Sequence, residues 1–147
     1  MSEQPNLALL IAALLSSLAA VLHLGVILGG APWYRFFGAG ERMARMAEAG
    51  HWVPPLLTLA IAGLLFAWGA CALMAGGWTT GLDGLRPWLK PALSLITAVY
   101  LLRGLAVVAV ALWVPAQLSA FVVWSSLICL AYGLVHLAGL IQVWGRL

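Results

Sequence analysis

The chain has 147 residues, of which 65% are hydrophobic and 7% are charged, whereas about a quarter of the residues in a soluble domain carry a charge. This composition, with a mean hydropathy of +1.08, excludes a soluble globular domain and predicts an integral membrane protein. The net charge of +3 comes from Lys and Arg scattered over segment ends, which is typical of membrane-interface anchors and not of nucleic-acid binding.

Glycine, proline and apolar length together mark the ends of four apolar segments, each long enough for the roughly 20 residues that a spanning helix needs. Gly29-Gly30 ends the first segment, because glycine favours the exit turn of a helix. Pro54-Pro55 opens the second, because proline is tolerated in a first turn. We therefore predict an all-α fold, a single transmembrane domain over residues 1–147 that forms an antiparallel bundle of four transmembrane helices. The predicted spans are residues 7–28, 54–75, 88–113 and 118–143.

The segment between the first two spans, FFGAGERMARMAEAGHW, has an amphipathic pattern. Met43, Met46 and Ala47 recur at helical spacing, and Arg42 and Arg45 occupy the other face. This pattern predicts a short interfacial amphipathic helix between the first and second spans.

Membrane orientation is not decided by the charges. We call the membrane face that holds both predicted termini side A and the opposite face side B. Lys and Arg are equally frequent near the two sides, so the positive-inside rule gives no preference. The common habit of proteins with an even number of spans favours cytoplasmic termini.

Small and polar residues recur on one face of each span, as expected where helices pack closely in lipid. These faces predict helix contacts within the bundle and, through any remaining small-residue surface, homo-oligomers or hetero-oligomers. The predicted faces contain Ser16, Ala20, His23 and Ile27; Thr58, Ala62, Gly69 and Gly76; Thr97, Tyr100 and Gly104; and Ser126, Cys129, Gly133 and His136.

Arg103 interrupts the apolar run VYLLRGLAVV in the third span. An arginine within a membrane costs about 2.5–3.5 kcal/mol on insertion scales, so we expect it to face the bundle interior and to have a partner. At the rise of an α-helix it lies about 15 Å from the side-B end of its span. Its partner could be a loop glutamate (Glu41 or Glu48), backbone carbonyls with Tyr100, or a bound anion; alternatively, its side chain could extend toward the interface.

The candidate site is a polar pocket in the side-B half of the bundle for a lipid or an amphiphilic anion. A binding or accessory protein is therefore the expected function, with membrane lipids and a small amphiphile as the partners. A small transporter or a redox subunit that handles a quinone is the alternative, and an enzyme is less favoured. The candidate ligand-binding residues are Arg103, His23, Tyr100, Glu41, Glu48, His51 and Trp33.

Several chemistries find little support in the residue pattern. His23 and His136 lie about 15 Å apart along the membrane normal, so they cannot ligate one haem. No Asp or Glu lies within a span, which disfavours a metal site and the buried carboxylate of a proton-coupled exporter. Ser and His are too far apart within each helix for nucleophilic catalysis. No cofactor, metal or catalytic residue is therefore predicted.

Three stretches resemble a group of small four-span bacterial inner-membrane proteins of uncharacterised activity. The stretches are HLGVILGGAPWYRFFGAGERMARMAEAGHWVP, RPWLKPALSLITAVYLLRGL and WSSLICLAYGLVHLAGL. The resemblance covers most of the chain and implies a multi-pass protein of a bacterial inner membrane. It implies no activity, ligand or catalytic residue.

Overall fold

The structure, a computed structural model, describes residues 4–79 and 83–147, and most of these residues are helical, with no strand among them. Short 3-10 turns, Asp83–Leu85 and Pro115–Gln117, precede the last two helices. The α-helices are α1 (Leu7–Phe36), α2 (Glu41–Glu48), α3 (Val53–Ala75), α4 (Arg86–Trp113) and α5 (Ala120–Val143).

Four of these helices, α1, α3, α4 and α5, are long and apolar enough to cross a membrane. Many of their leucines and valines are exposed, as expected for side chains solvated by lipid and not by water. The predicted all-α bundle of four membrane helices is confirmed, and the protein is a multi-pass membrane protein. The predicted ends lie within two residues of the observed ones, except at the end of α1.

Helix α1 is interrupted at Gly30, whose backbone has φ 62° and ψ −151°. The predicted break at Gly29-Gly30 is therefore in the right place, but the prediction that the first helix ends there is wrong. Helical backbone resumes after Gly30 and continues to Phe36, because Pro32 falls in the first turn of the new helical segment, where it is tolerated. Ala31 and Tyr34 then pack in a small core with Val26 and Ala44.

Replacement of Gly30 by alanine tests this break. We expect Gly30→Ala to lower the free energy of unfolding by about 1–2 kcal/mol, because an L side chain rarely adopts this conformation. Open space surrounds the position of the added Cβ, so backbone strain is the only cost. Equilibrium unfolding in mixed detergent micelles measures the change. An unchanged stability would show that residues 29–31 adopt an ordinary helical conformation.

The described residues form two compact units, and each is described separately. The first unit comprises the described parts of Met1–Ser16 and Trp68–Leu147, and the second comprises Ser17–Ala67. The predicted single transmembrane domain stays a prediction.

The first unit contains the start of α1, the end of α3 and the whole of α4 and α5. Asn6, just before α1, forms hydrogen bonds to the ends of α3 and α5. Its backbone N–H donates to the carbonyl of Gly76, just after α3, and its side-chain amide donates to Gln142 near the end of α5. The start of α1 therefore lies beside the ends of α3 and α5, as an antiparallel arrangement requires. The buried core of this unit contains Leu9, Ala12, Ala13, Ala72, Ala75, Leu89, Leu93, Leu140 and Val143.

Helices α4 and α5 approach each other closely through glycine. A Cβ added at Gly104 would lie 2.6 Å from the backbone nitrogen of Leu130, and one added at Gly133 would lie 2.7 Å from the Leu101 side chain. The predicted small-residue faces of these helices are confirmed, since Thr97, Gly104 and Gly133 are all buried. These contacts also fix the antiparallel register, with Gly104 level with Leu130.

The second unit contains helix α2, which is amphipathic as predicted. Ala44 is fully buried, and Met43, Met46 and Ala47 are half-buried, whereas the charged side chains lie on the exposed face. The interfacial position of this helix stays a prediction.

Candidate functional site

Arg103 on α4 binds two serine hydroxyls on α5. Its guanidinium donates from Nη1 to Oγ of Ser126 at 2.9 Å and from Nη2 to Oγ of Ser125 at 3.0 Å. Ser126 is fully buried, whereas Arg103 itself is exposed. The prediction that Arg103 faces the bundle interior is therefore wrong: Gly104, the next residue, faces α5, and Arg103 lies at the edge of this helix contact.

The side chain of Arg103 extends along the bundle toward the turn between α4 and α5. Because Gly104 is level with Leu130, the Arg103 backbone is level with about residue 131 of α5. Ser126 and Ser125 lie five to six residues closer to the start of α5, a distance of about 8 Å at helical rise. This is close to the full length of an arginine side chain. Arg103 thus carries its charge toward side B, as a snorkelling arginine does.

The two loop glutamates, proposed from the sequence as partners of Arg103, bind another arginine. Arg35, in the last turn of α1, donates from Nε and Nη2 to the Glu41 carboxylate at 2.9 and 3.1 Å and from Nη1 to Glu48 at 2.8 Å. Arg45 adds a hydrogen bond to Glu41 at 3.1 Å. The structure therefore assigns these carboxylates to holding α2 against the end of α1.

These ion pairs lower the pKa of both carboxyl groups. Hydrogen bonds from Arg35 and then Arg45 bring the pKa of Glu41 from 4.5 down to about 2, and the hydrogen bond from Arg35 lowers the pKa of Glu48. A carboxyl group whose pKa is lower in the folded state stabilises that state above its unfolded pKa, and the effect disappears as the pH falls through the folded pKa.

We therefore expect the attachment of α2 to weaken as the pH falls from about 4.5 to about 2. Limited proteolysis between Phe37 and His51 at a series of pH values measures this, and added salt should accelerate cleavage because exposed ion pairs are screened. In Arg35→Gln, cleavage should already be fast at neutral pH and should vary little with pH. Equal pH dependence in the two proteins would contradict the prediction.

Tyr100 belongs to a buried cluster in the first unit. Its hydroxyl shares a hydrogen bond of 3.1 Å with the hydroxyl of Ser16, and its ring contacts Trp68 edge-on at a centroid distance of 5.1 Å. Tyr132 and His136 of α5 contact the same ring at 5.6 and 5.0 Å. Tyr100 and Arg103 therefore lie on one helix but face different surroundings, with Tyr100 buried and Arg103 exposed.

The remaining candidates belong to the second unit. His23 is half-buried, and its Nδ1 bonds the carbonyl of Ala19 at 2.7 Å. The ring of Trp33 packs against Phe37. His51 is exposed and lines an open depression of about 530 Å³ with Glu41, Arg42, Arg45, Met46 and Ala49. Within this unit the structure thus brings His51 and Glu41 to one depression, whereas His23 bonds only within its own helix turn.

Two serines complete the arginine site, and the sequence contains a signal for them. The partners expected from the sequence for Arg103 are a loop glutamate, backbone carbonyls with Tyr100, or an anion, but a guanidinium also donates to serine hydroxyls. Ser125 and Ser126 are adjacent serines in the fourth span, at a depth that an extended side chain from Arg103 reaches in an antiparallel bundle. Among the residues that the structure describes, no group of His, Cys, Asp and Glu could hold a metal ion.

Comparisons with protein-family models, with curated proteins and with solved structures each find no match to this chain.

Proposed function

We propose that this membrane protein is a binding or accessory protein whose Arg103–Ser125–Ser126 site holds the anionic head group of a lipid or of another amphiphile. The observation that carries the proposal is an exposed guanidinium held by two neutral hydroxyls on a membrane helix. We also propose that the protein lies in a bacterial inner membrane with both termini in the cytoplasm. A topology reporter fused to Leu147 tests on which side of the membrane the C-terminus lies.

The charge of Arg103 supports an anionic ligand. The serine hydroxyls orient the guanidinium, and no carboxylate in the described ranges 4–79 and 83–147 forms an ion pair with Arg103. A guanidinium has five N–H donors, and the two serine bonds occupy two of them. The remaining donors suit a phosphate or a carboxylate, which the planar guanidinium binds in a bidentate manner.

The position of the site supports an amphiphile. Trp113 at the end of α4 and Trp124 in the first turns of α5 are 79% and 66% exposed, and both belong to the end of the bundle toward which Arg103 extends. Exposed tryptophans of this kind mark the head-group level of a membrane. A head group at the level of these rings is within reach of the guanidinium, with the acyl chains alongside the apolar helices.

Lipid retention tests this proposal. The protein is reconstituted in nanodiscs of phosphatidylglycerol and phosphatidylcholine, extracted gently and examined by native mass spectrometry. We expect the wild type to retain phosphatidylglycerol preferentially and Arg103→Leu to retain it about 10- to 100-fold less, since hydrogen bonds to charged groups contribute about 1.5–3 kcal/mol. Arg103→Lys, which keeps the charge but loses the planar fork, should be intermediate.

Arg42→Leu is the matched control, because it removes the same charge from an exposed position on α2. Equal loss of lipid in Arg42→Leu and Arg103→Leu would indicate a general charge effect and contradict a specific site. If Arg103→Leu changed the oligomeric state but not the lipid retention, the result would indicate that Arg103 binds a protein partner and not a lipid.

A further inference from the structure

His136 on α5 is fully buried and has an unpartnered ring nitrogen. Its Nε2 is the only buried side-chain nitrogen or oxygen without a hydrogen-bond partner among the residues that the structure describes. An unsatisfied buried polar atom costs about 1–3 kcal/mol, so native proteins retain few of them. This nitrogen belongs to the first unit and is separate from the Arg103 site.

The other ring nitrogen fixes the chemistry of Nε2. Nδ1 of His136 lies 2.9 Å from the carbonyl oxygen of Tyr132, and a carbonyl only accepts, so Nδ1 carries the hydrogen. In the neutral imidazole, Nε2 is then a bare acceptor. A second proton on Nε2 would bury a charged donor without a partner, which costs more still. The missing partner is therefore a hydrogen-bond donor.

The surroundings of His136 show what kind of donor fits. The rings of Tyr100 and Tyr132 belong to the same cluster, and both are neutral phenols. The hydroxyls of Ser16 and Tyr100 share a single hydrogen bond, which uses one of their two hydrogens and leaves the other for a further acceptor. The cluster thus contains one bare acceptor, and two spare hydroxyl donors: one from the Ser16–Tyr100 pair and one from Tyr132. A further hydroxyl group could donate to Nε2 and accept from a spare hydroxyl, because a hydroxyl both donates and accepts.

We propose that Nε2 of His136 accepts a hydrogen bond from a small neutral hydroxyl donor bound inside the first unit. Two sources share this chemistry: a buried water molecule, and the hydroxyl group of a lipid-soluble alcohol or phenol. Buried waters ordinarily satisfy such polar groups with about three hydrogen bonds. The neutral surroundings disfavour an anion paired with a protonated His136, because removing both charges from water costs more than their attraction typically recovers. The proposal does not depend on lipid binding at Arg103.

Nitrogen NMR of the reconstituted, ¹⁵N-histidine-labelled protein tests the proposal. The chain has three histidines, so His23→Gln and His51→Gln assign the signals by loss. We expect the unprotonated Nε2 of His136 to resonate upfield of a free imidazole nitrogen, as a hydrogen-bonded acceptor does. A resonance at the position of a free imidazole nitrogen would overturn the proposal, because it would mean that the acceptor has no donor.

The source of the hydroxyl is distinguished by two further measurements. Magnetisation transfer from bulk water to the His136 ring signals, unchanged after delipidation, supports a bound water. A mass adduct in native mass spectrometry that disappears in His136→Leu supports an organic hydroxyl. His23→Leu is the matched control, because the His23 ring also bonds the carbonyl four residues earlier but is half-buried. An adduct lost equally in both variants would contradict a ligand at His136.

Discussion

Replacement of Gly104 by alanine should lower the free energy of unfolding by about 3 kcal/mol. The added Cβ would lie 2.6 Å from the backbone nitrogen and 2.7 Å from the Cα of Leu130. Because these are backbone atoms, no side-chain rotation relieves the overlap, and α4 and α5 must move apart. Overpacking of an interior typically costs about 1–3 kcal/mol, and a backbone obstacle falls at the upper end of that range. Equilibrium unfolding in mixed micelles measures the loss.

Gly63→Ala is the control for this prediction. Gly63 lies within α3, and a Cβ added there meets no atom within 4 Å. The same substitution should therefore raise stability by about 0.5–1 kcal/mol, through the higher helix propensity of alanine. If both variants were destabilised alike, the loss would come from a property common to all membrane helices and not from the contact with Leu130.

Separation of α4 from α5 should also impair the arginine site. The serines that hold Arg103 are on α5, and Gly104 is the residue next to Arg103. Under the proposed function, Gly104→Ala should therefore lower both phosphatidylglycerol retention and stability. Gly63→Ala should lower neither. Native mass spectrometry of the two variants at equal folded fraction separates this effect from unfolding.

The helices and their buried faces could be predicted because apolar length and small-residue spacing are local properties of the sequence. Glycine, proline and apolar length together predict most helix ends within two residues. The end of α1 was misjudged because tertiary contact decides it: the packing of Ala31 and Tyr34 against Ala44 stabilises the helical turns that follow Gly30.

The depth of Ser125 and Ser126 is the only signal in the sequence for the partners of Arg103, because this pairing depends on the register between α4 and α5, which the sequence does not fix. Attraction between opposite charges suggested a glutamate for Arg103, yet Arg35 is closer along the chain to both loop glutamates and binds them. Arg103 instead reaches two serines, and this pairing requires the level at which Gly104 meets Leu130. The unpartnered nitrogen of His136 is similarly a property of three-dimensional packing.

Replacement of Asn6 by alanine should lower the free energy of unfolding by about 2–3 kcal/mol. Asn6 is 7% exposed and precedes α1, where its Oδ1 accepts a hydrogen bond of 2.9 Å from the backbone N–H of Leu9. Loss of such an N-cap costs about 0.5–2 kcal/mol, and the Leu9 N–H, which is buried, would be left without a partner. The bond from Nδ2 to Gln142 would also be lost.

Two further variants separate these contributions. Asn6→Asp keeps an acceptor for the Leu9 N–H, so it should retain most of the stability, whereas Gln142→Ala removes only the bond at an exposed side chain and should cost less than about 1 kcal/mol. Hydrogen exchange at the Leu9 amide should accelerate in Asn6→Ala alone. If Asn6→Ala and Asn6→Asp lost equal free energy of unfolding, the loss would instead come from the hydrogen bond between Asn6 and Gln142, which neither variant can donate. The backbone bonds of Asn6 to Gly76 and Trp78 persist in every variant, because they involve only its N–H and carbonyl groups.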